Sequence, residues 1–300
     1  MPEQILHEDR IVTSEELALE LSKTEESVFK SETGLPTLDR ILEGVEAGEL
    51  IVVTGPTGEG KTTLLMSITK NMAEKKIDSV WFTLEVTSRQ FLNKLLKAAV
   101  KLPMFFLPRR GFDDVSLFLT KQFEIERNRQ FQMIDWIEIK IMEAIERSKI
   151  EGRELKVVFI DHIHQIFSLA KVEKNISLEL GDMVAKIKQI AIKNNLVIFL
   201  IAHSRDDSQN PNREPRKEDI RDSGLISRLA DTIIGVWRIP NSDDGSLSRR
   251  QVINETDYKS KIRIFKNRRT GKLGFFVAYH LNHYLTETDG QFEQEVAKFF

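Results

Sequence analysis

The chain has 300 residues, of which 41% are hydrophobic and 30% charged, so it can build one large domain with at most a small appendage. Its 44 basic and 46 acidic residues give a formal net charge of −2, which excludes a global basic field for nucleic acid and leaves only local contacts. The lack of cysteine excludes disulfides, thiolate metal sites and thiol catalysis. No apolar run suits a signal peptide or a membrane span, and we expect a cytoplasmic location without membrane contact.

The first 31 residues are polar and form a predicted N-terminal linker. Within it, residues 13–21 have a capping pattern followed by leucines, which predicts a short amphipathic helix. Because so short a helix cannot bury its apolar face alone, we expect it to pack either on the main body or on a neighbouring subunit. After the linker, residues 34–37 predict a turn and residues 38–45 a brief helix that ends by Gly48.

A strand, a glycine-rich loop and a helix follow in the order that a phosphate-binding loop requires. Apolar residues lead into the pattern G-x-x-x-x-G-K-T, from Gly55 to Thr62, and then recur at helical spacing. Glycine lets backbone N–H groups fold around phosphate oxygens, and the N-terminus of the next helix adds unpaired donors. We expect Lys61 to reach the β- and γ-phosphates and Thr62 to bind Mg²⁺. The predicted nucleotide-binding residues of this segment are Gly55, Thr57, Gly58, Glu59, Gly60, Lys61, Thr62 and Thr63.

Three further buried strands each end in a polar residue, at the position where open α/β sheets bind ligands. Glu85, at the first end, is either a polar strand end or a base that activates water. Asp161, at the second end and about a hundred residues after the phosphate loop, is predicted to share Mg²⁺ with Thr62. His203, at the third end, is either a γ-phosphate sensor or a hydrogen-bonded strand end. The three strands span residues 78–85, 155–161 and 196–203.

Helices are predicted between these strands, and a polar loop follows the last one. Apolar periodicity predicts helices over 87–102, 133–150 and 178–192, whereas residues 103–132 follow no pattern. The polar loop, 204–221, carries balanced charge and is of the length that is usually functional or disordered. It leads into a helix over residues 222–230 and a strand over residues 231–237.

The last part of the chain contains a basic segment. Residues 259–272 hold seven basic side chains and no acidic one, alternating with apolar residues. The segment is either a solvated edge strand or a basic strand and turn aimed at phosphate, of nucleic acid or of a neighbour's nucleotide. A strand over 275–280 is expected to close the core. The acidic tail, 287–300, either packs or offers an aromatic-ended peptide to a partner.

In this order, the pieces resemble the C-terminal ATPase domain of ring-shaped replicative helicases, the RecA-fold group of bacterial DnaB, phage primase-helicases and Twinkle. The resemblance covers about Thr33 to Glu287. It is carried by the segment T-G-L-P-T-L-D that starts at Thr33, by F-T-L-E ending at Glu85, and by V-F-I-D-H around Asp161, where histidine replaces the family's tyrosine. His203 stands where phage and Twinkle-like members have histidine and DnaB-like members have glutamine.

Two more motifs concern DNA and the neighbouring subunit. The sequence D-I-R-D-S-G resembles the loop that lines the central channel, which implies that Arg221, Asp222 and Gly224 hold single-stranded DNA. The sequence K-N-R-R-T-G, starting at Lys266, resembles a turn whose arginine reaches across the subunit interface to the nucleotide. Arg268 is then the candidate finger. The adjacent residue, Arg269, is the alternative, and Lys266 is the companion of either.

The resemblance implies a fold, an activity and partners. The fold is α/β, a RecA-like P-loop NTPase core with a mostly parallel central sheet flanked by helices, over residues 32–286. The activity is that of an NTP-driven hexameric DNA helicase that uses ATP or another NTP or dNTP with Mg²⁺. The partners are single-stranded DNA, identical subunits and a candidate primase, loader or polymerase. The alternatives are a RecA- or RadA-type recombination ATPase and a KaiC-like signalling ATPase. The implied catalytic residues are Glu85 as base, Lys61, His203 and Arg268.

Overall fold

The computed structural model of the chain describes residues 13–15, 28–83, 91, 104–107, 133–163, 176–204, 214–220, 223–240, 258–281 and 284–287. The main elements in chain order are β1 (Lys30–Ser31), α1 (Pro36–Leu42), β2 (Val45–Glu46), β3 (Leu50–Gly55), α2 (Lys61–Glu74), β4 (Asp78–Thr83), β5 (Met104–Leu107), α3 (Met133–Ile150), β6 (Leu155–Asp161), α4 (Ile176–Lys193), β7 (Val197–His203), a 3₁₀ turn (Lys217–Asp219), α5 (Ser223–Leu229), β8 (Thr232–Pro240), β9 (Tyr258–Asn267), β10 (Gly274–Leu281) and β11 (Tyr284–Thr286). None of these helices is long and apolar enough to cross a membrane.

Nine of the described strands form one sheet, in the order β11-β10-β9-β8-β3-β7-β6-β4-β5. The strands from β8 to β5 pair in parallel, and β9 to β11 extend the sheet in antiparallel fashion. The parallel registers bring several strand ends to one edge, where Gly55 pairs with His203 and Thr83 pairs with Asp161. The predicted mostly parallel sheet is therefore confirmed.

Strand β3 shows why helices cover both faces of the sheet. All six of its residues are buried, as expected for a central parallel strand. Leu50 and Val52 join an apolar cluster with α3, α4 and α5, whereas Ile51 and Val53 join a second cluster with α1 and α2. Successive side chains of a strand point to opposite faces, so the uninterrupted apolar run of β3 requires helices on both sides.

The predicted helix over residues 38–45 is wrong at both ends. Helix α1 begins at Pro36, where proline is tolerated because an N–H in the first turn has no intrahelical partner, and it ends at Leu42. Glu43 and Gly44 then adopt left-handed conformations, with φ of 56° and 76°. These conformations stop the helix, so Val45 belongs instead to β2, which pairs with residues 30–31 of the predicted linker.

Two short edge strands were not predicted. Strand β5 lies within residues 103–132, which carry no recognisable pattern, and β11 pairs with β10 at the other edge of the sheet. Segments of three or four residues are too short for periodicity to indicate a strand. The predicted helix over 87–102, apart from a helical Phe91, the loop 241–257 and the tail beyond Glu287 lie outside the described residues.

Candidate nucleotide-binding site

The phosphate loop lies between the end of β3 and the start of α2. Gly55 is required by close approach, because a Cβ atom there would lie 2.1 Å from the carbonyl oxygen of Val236 on β8. Gly60 caps α2 in a left-handed conformation and provides no side-chain hydrogen bond to the helix. The first backbone N–H groups of α2 therefore have no capping side chain and can receive an anion.

Lys61 extends over the inside of this loop. Its Nζ atom donates hydrogen bonds to the carbonyl oxygens of Gly55 at 2.9 Å and Pro56 at 2.7 Å, and the residue is only 5% exposed. At Gly58, which has a φ of 79°, an added Cβ would meet nothing within 4 Å. A buried ammonium group beside open loop backbone fits a polyphosphate, because both parts supply N–H donors to anionic oxygens.

Thr62 and Asp161 meet at the start of α2. The Thr62 hydroxyl donates to Oδ2 of Asp161 at 2.8 Å, although the two residues are 99 positions apart. Asp161, at the end of β6, is 3% exposed. A hydroxyl and a carboxylate are oxygen ligands of the kind that Mg²⁺ prefers. Within the described ranges no three His, Cys, Asp or Glu residues form a metal cluster.

His203 lies beside the phosphate loop at the end of β7. It pairs in register with Gly55, and its ring meets that of His162 edge to face, with centroids 4.1 Å apart. The next residue, Ser204, donates its N–H to the Gly55 carbonyl at 3.2 Å and bridges to Ile220. The end of β7 therefore connects the phosphate loop to Ile220, the second residue of the predicted DNA motif.

The other predicted residues of this edge differ in how far the structure describes them. The Glu59 carboxylate accepts a hydrogen bond from the backbone N–H of Arg238 at 2.5 Å, which ties the loop to β8. Thr57 is exposed, and Thr63 is half-buried on α2. Glu85 lies outside the described residues, since β4 is described only as far as Thr83.

Of the predicted DNA-binding residues, the structure describes only Gly224. Gly224, the second residue of that helix, is exposed. Arg221 and Asp222 lie outside the part of the chain that the structure describes. The 3₁₀ turn that precedes them is held by Asp219, whose carboxylate accepts the backbone N–H of Arg216 at 2.6 Å.

The basic turn after β9 lies at the opposite side of the sheet, where the parallel strands begin. We call this side the finger edge, and the side where the strands end at the phosphate loop the phosphate edge. The backbone N–H of Arg268 donates to the Asp231 carbonyl at 2.8 Å, and the N–H of Asp231 donates to the Leu50 carbonyl at 2.9 Å. Arg268 is therefore level with the first residue of β3, whereas the phosphate loop begins at its last. Five residues of a strand span about 16 Å, more than an arginine side chain can cover. The structure thus divides the predicted site residues into two separate groups.

The side chain of Arg268 is partly held and partly exposed. Its Nη1 atom lies 3.2 Å from Oδ1 of Asp231, and Nη2 donates to the Arg228 carbonyl at 2.6 Å. The side chain is 54% exposed. These two contacts use two of five guanidinium N–H donors.

Arg269 and Lys266 are instead bound within their own chain. Arg269 donates to Glu49 at 2.8 Å and to the carbonyls of Leu42 and Gly44 at 2.7 and 2.6 Å. Lys266 donates to carbonyl oxygens at the C-terminal end of α5, a position that favours cations. Burial lowers the pKa of Lys266, and the neighbouring guanidinium of Arg268 lowers it further. The three acceptors of Lys266 are Ser227 at 2.8 Å, Arg228 at 3.2 Å and Ala230 at 2.6 Å.

Asp231 was not among the predicted site residues, yet it contacts both the sheet and the candidate finger. It lies between α5 and β8 and is 7% exposed. The sequence signal was available, because an acid between an amphipathic helix and a buried apolar strand must find partners when it is folded. Periodicity assigns such a residue to a strand boundary and carries no information on which distant cations surround it.

Comparisons with known proteins follow the same lines. The family model described as DnaB-like helicase C terminal domain matches residues 31–287. The protein described as replicative DNA helicase DnaB from Mycoplasma pneumoniae is 28% identical over 284 residues, 89% of this chain and 59% of the relative. Replicative DNA helicase DnaC from Bacillus subtilis is 27% identical over 252 residues, 81% of this chain and 53% of the relative. The chain thus spans little more than half of these relatives.

Two solved structures are similar in fold. A DnaB-like replicative helicase, described with its interactions with primase, has a TM-score of 0.63 and 17% identity, and the match covers 94% of this chain and 68% of that one. A KaiC-like protein from Pyrococcus horikoshii has a TM-score of 0.59 and 17% identity, over 88% of this chain and all of that one. The expected RecA-like architecture is confirmed by these likenesses.

Proposed function

Because the chain belongs to the DnaB-like helicase C terminal domain family, whose model matches residues 31–287, we propose that it is the motor of an NTP-driven replicative DNA helicase. In this proposal identical subunits form a ring of six, which moves along single-stranded DNA and unwinds the duplex ahead of it. Support comes from relatives described as replicative DNA helicases. Since those relatives are considerably longer than this chain, the complete activity and its partners remain part of the proposal.

The observation that carries the proposal is the separation of the two groups of site residues. The phosphate loop lies at one edge of the sheet, and Arg268 lies level with Leu50 at the other. An arginine so placed can act only on a nucleotide bound to another copy of the chain. A head-to-tail interface that closes into a ring meets this requirement at every subunit.

The cradle in each subunit binds the phosphates. Gly58, Gly60 and Lys61 would supply backbone N–H groups and an ammonium group, while Thr62 and Asp161 would hold Mg²⁺. When bound, Mg²⁺ neutralises charge on the β- and γ-phosphates of ATP or another NTP. The chain's own contribution is a preorganised pair of donors, because the Gly55 carbonyl already holds the Lys61 ammonium group and the Asp161 carboxylate already holds the Thr62 hydroxyl.

Glu85 and His203 serve chemistry and signalling at this edge. We assign Glu85 to orient and polarise the attacking water, as a carboxylate close after the end of β4 could do. His203 is assigned to sense the γ-phosphate because it lies next to Gly55. Its neighbour Ser204 bridges to Ile220, so a change at the phosphate loop can reach the start of the DNA motif.

Arg268 is the finger in this proposal. It is more than half exposed, whereas Arg269 is 25% exposed and donates to three acceptors of its own chain. Arg268 would neutralise charge that develops on the phosphoryl group of the next subunit, an effect worth about 10³ to 10⁵ in rate in related phosphoryl-transfer systems. Lys266 would support the turn from the end of α5.

DNA is held by the loop that precedes α5. Arg221, Asp222 and Gly224 would contact the phosphate backbone, so binding should depend strongly on salt and little on sequence. A primase, loader or polymerase is the proposed kind of protein partner. The similar helicase described with its interactions with primase supports the first of these. The proposed location, the cytoplasm, stays a prediction from the sequence.

The alternatives share the fold and differ in the DNA and finger motifs. A KaiC-like ATPase needs no DNA, and a RecA- or RadA-type enzyme forms filaments that pair strands. The family match and the D-I-R-D-S-G motif favour the helicase. ATP hydrolysis measured with and without single-stranded DNA separates the signalling class, because a translocase should be stimulated.

The deciding experiment is unwinding of a forked duplex by the purified chain with ATP and Mg²⁺. The wild type should separate the strands, and Lys61→Ala and Arg268→Ala should not. Arg268→Ala should still bind nucleotide, because the cradle of its own chain is intact. Strand pairing without unwinding would contradict the proposal, and so would hydrolysis that DNA does not affect.

A further inference from the structure

A single carboxylate, that of Asp231, joins three elements at the finger edge of the sheet. Oδ2 accepts the backbone N–H of Leu50 at 2.8 Å and the ammonium group of Lys188 at 2.5 Å. Oδ1 lies 3.2 Å from Nη1 of Arg268. One oxygen is therefore fixed by β3 and α4, and the other points to the guanidinium group.

Asp231 and Lys188 are more deeply buried than the arginine that Asp231 holds. The Asp231 and Lys188 side chains are 10% and 18% exposed, whereas that of Arg268 is 54% exposed. Together with Arg269 they line a shallow depression of about 350 Å³ that opens to the surface. A rigid buried acid thus fixes one end of a cation that is accessible from outside.

We infer that Asp231 is a positioning residue for the trans-acting arginine: its carboxylate, oriented by Leu50 and Lys188, holds the Arg268 guanidinium in place for the neighbouring subunit's triphosphate. The inference rests on the proposed function, since it assumes that Arg268 is the finger. The second contact of Arg268, to the Arg228 carbonyl, fixes the same group from the end of α5. Two anchors on one guanidinium restrict its rotation and leave its remaining donors for phosphate.

The bland alternative is that Asp231 only ties α5 and β8 to the sheet. In that case its loss would lower stability and affect activity only through folding. Positioning predicts something different, because a misplaced catalytic group lowers kcat while nucleotide binding by the separate cradle stays intact. It also predicts that Asp231 has no effect once Arg268 is gone.

The experiment is a double-mutant cycle on the full chain, using Asp231→Asn, Arg268→Ala and the double variant. Asparagine keeps the shape and an acceptor for the Leu50 N–H while removing the charge. Single-turnover ATP hydrolysis gives the rate, KM and nucleotide affinity are measured separately, and thermal unfolding checks the fold. Asp135→Asn is the matched control, because Asp135 also pairs with a lysine of α4, Lys186 at 3.2 Å, on an exposed surface.

We expect Asp231→Asn to lower kcat about tenfold to hundredfold with KM within about threefold, a cost typical of misplacing a catalytic group by about 1 Å. Asp135→Asn should match the wild type. In the Arg268→Ala background, or in Arg268→Gln if alanine leaves no measurable rate, Asp231→Asn should add little, because neither side chain keeps the positive charge that the carboxylate holds. An equal loss in both backgrounds, or normal kcat in Asp231→Asn, would overturn the inference alone. Normal hydrolysis by Arg268→Ala would overturn the finger assignment itself.

Discussion

The two edges of the central sheet carry different parts of the predicted site and are built differently. At the phosphate edge, the loop from Gly55 to Thr62 is shaped by backbone, and the space beside Gly58 is open. At the finger edge, charged side chains from several elements are linked by ion pairs, with Asp231 between Lys188 and Arg268. The phosphate edge is thus a binding loop made of backbone, whereas the finger edge presents one exposed arginine, Arg268, held by a network of ion pairs.

This difference is the reason why the proposed active site needs two copies of the chain. The backbone ladder places Arg268 level with Leu50, a full strand away from the phosphate loop. Arg268 cannot reach the phosphate loop of its own chain, whereas in the proposed head-to-tail assembly it would act on the phosphate loop of the next copy. Variants of each group should therefore have different effects on binding, rate and stability.

Removing the ammonium group of Lys61 from the phosphate loop should have the largest effect. Lys61→Ala loses the ammonium group inside the loop, so ATP hydrolysis and unwinding should fall to background and nucleotide affinity should drop by at least about tenfold, the loss of one charge-assisted contact. Lys70→Ala is the control, because Lys70 lies on the same helix in an exposed pair with Glu74. Binding is measured by titration with a fluorescent ATP analogue. Retained hydrolysis in Lys61→Ala would contradict the proposed role of the phosphate loop in binding nucleotide.

Removing the guanidinium group of Arg268 should affect the rate of hydrolysis more than nucleotide binding. We expect Arg268→Ala to lower kcat by about 10³ or more with nucleotide affinity within a few-fold of the wild type. Arg269→Ala, one residue away, should lose stability through its contacts with Glu49 and with the Leu42 and Gly44 carbonyls, and should retain most of its rate. Steady-state hydrolysis and urea unfolding distinguish the two. The reverse pattern would assign the finger to Arg269.

Two glycines test how closely other atoms approach the backbone of the phosphate loop. Gly55→Ala would place a Cβ atom 2.1 Å from the Val236 carbonyl, so we expect a loss of about 3 kcal/mol or more in the free energy of unfolding. Gly58→Ala meets open space and should cost only about 1–2 kcal/mol for its left-handed conformation. Urea unfolding without nucleotide measures both. Equal losses would mean that the close approach at Gly55 does not exist.

The smallest effect should come from a support of the finger edge. Both carboxylate oxygens of Glu287 accept the N–H of Thr37 at 2.9 Å at the start of α1, and the other end of α1 receives Arg269 through the Leu42 carbonyl. Glu287→Ala should lower the free energy of unfolding by about 1 kcal/mol, as the loss of a helix cap does, with kcat within about twofold. A large loss of rate would show that α1 takes part in the reaction.

Much of the phosphate edge could be predicted from the sequence because its signals are local. The glycine spacing before Lys61 and the buried runs that end at Asp161 and His203 each lie within a few residues, and the helices over 133–150 and 176–193 follow clear apolar stripes. The meeting of Thr62 with Asp161 was predictable because parallel strands end at the same edge.

The finger edge was harder because its contacts are not local. Asp231 gains its role from Leu50 and Lys188, which are 181 and 43 positions away. Motif resemblance indicated Arg268 but left Arg269 open, since two adjacent arginines are equivalent until their acceptors are known. The ends of α1 were wrong for a related reason, because a left-handed Glu43 is set by its surroundings and is uncommon in that residue type.

The most direct test of the central claim uses two inactive variants in one ring. Lys61→Ala and Arg268→Ala subunits with different affinity tags are co-expressed, mixed assemblies are purified through both tags, and ATP hydrolysis is measured. A site is complete where a subunit with an intact Lys61 faces a subunit with an intact Arg268. Random assortment gives this arrangement at about a quarter of interfaces, so hydrolysis should reappear in the mixture. A mixture no more active than the two variants alone would contradict a site shared between copies.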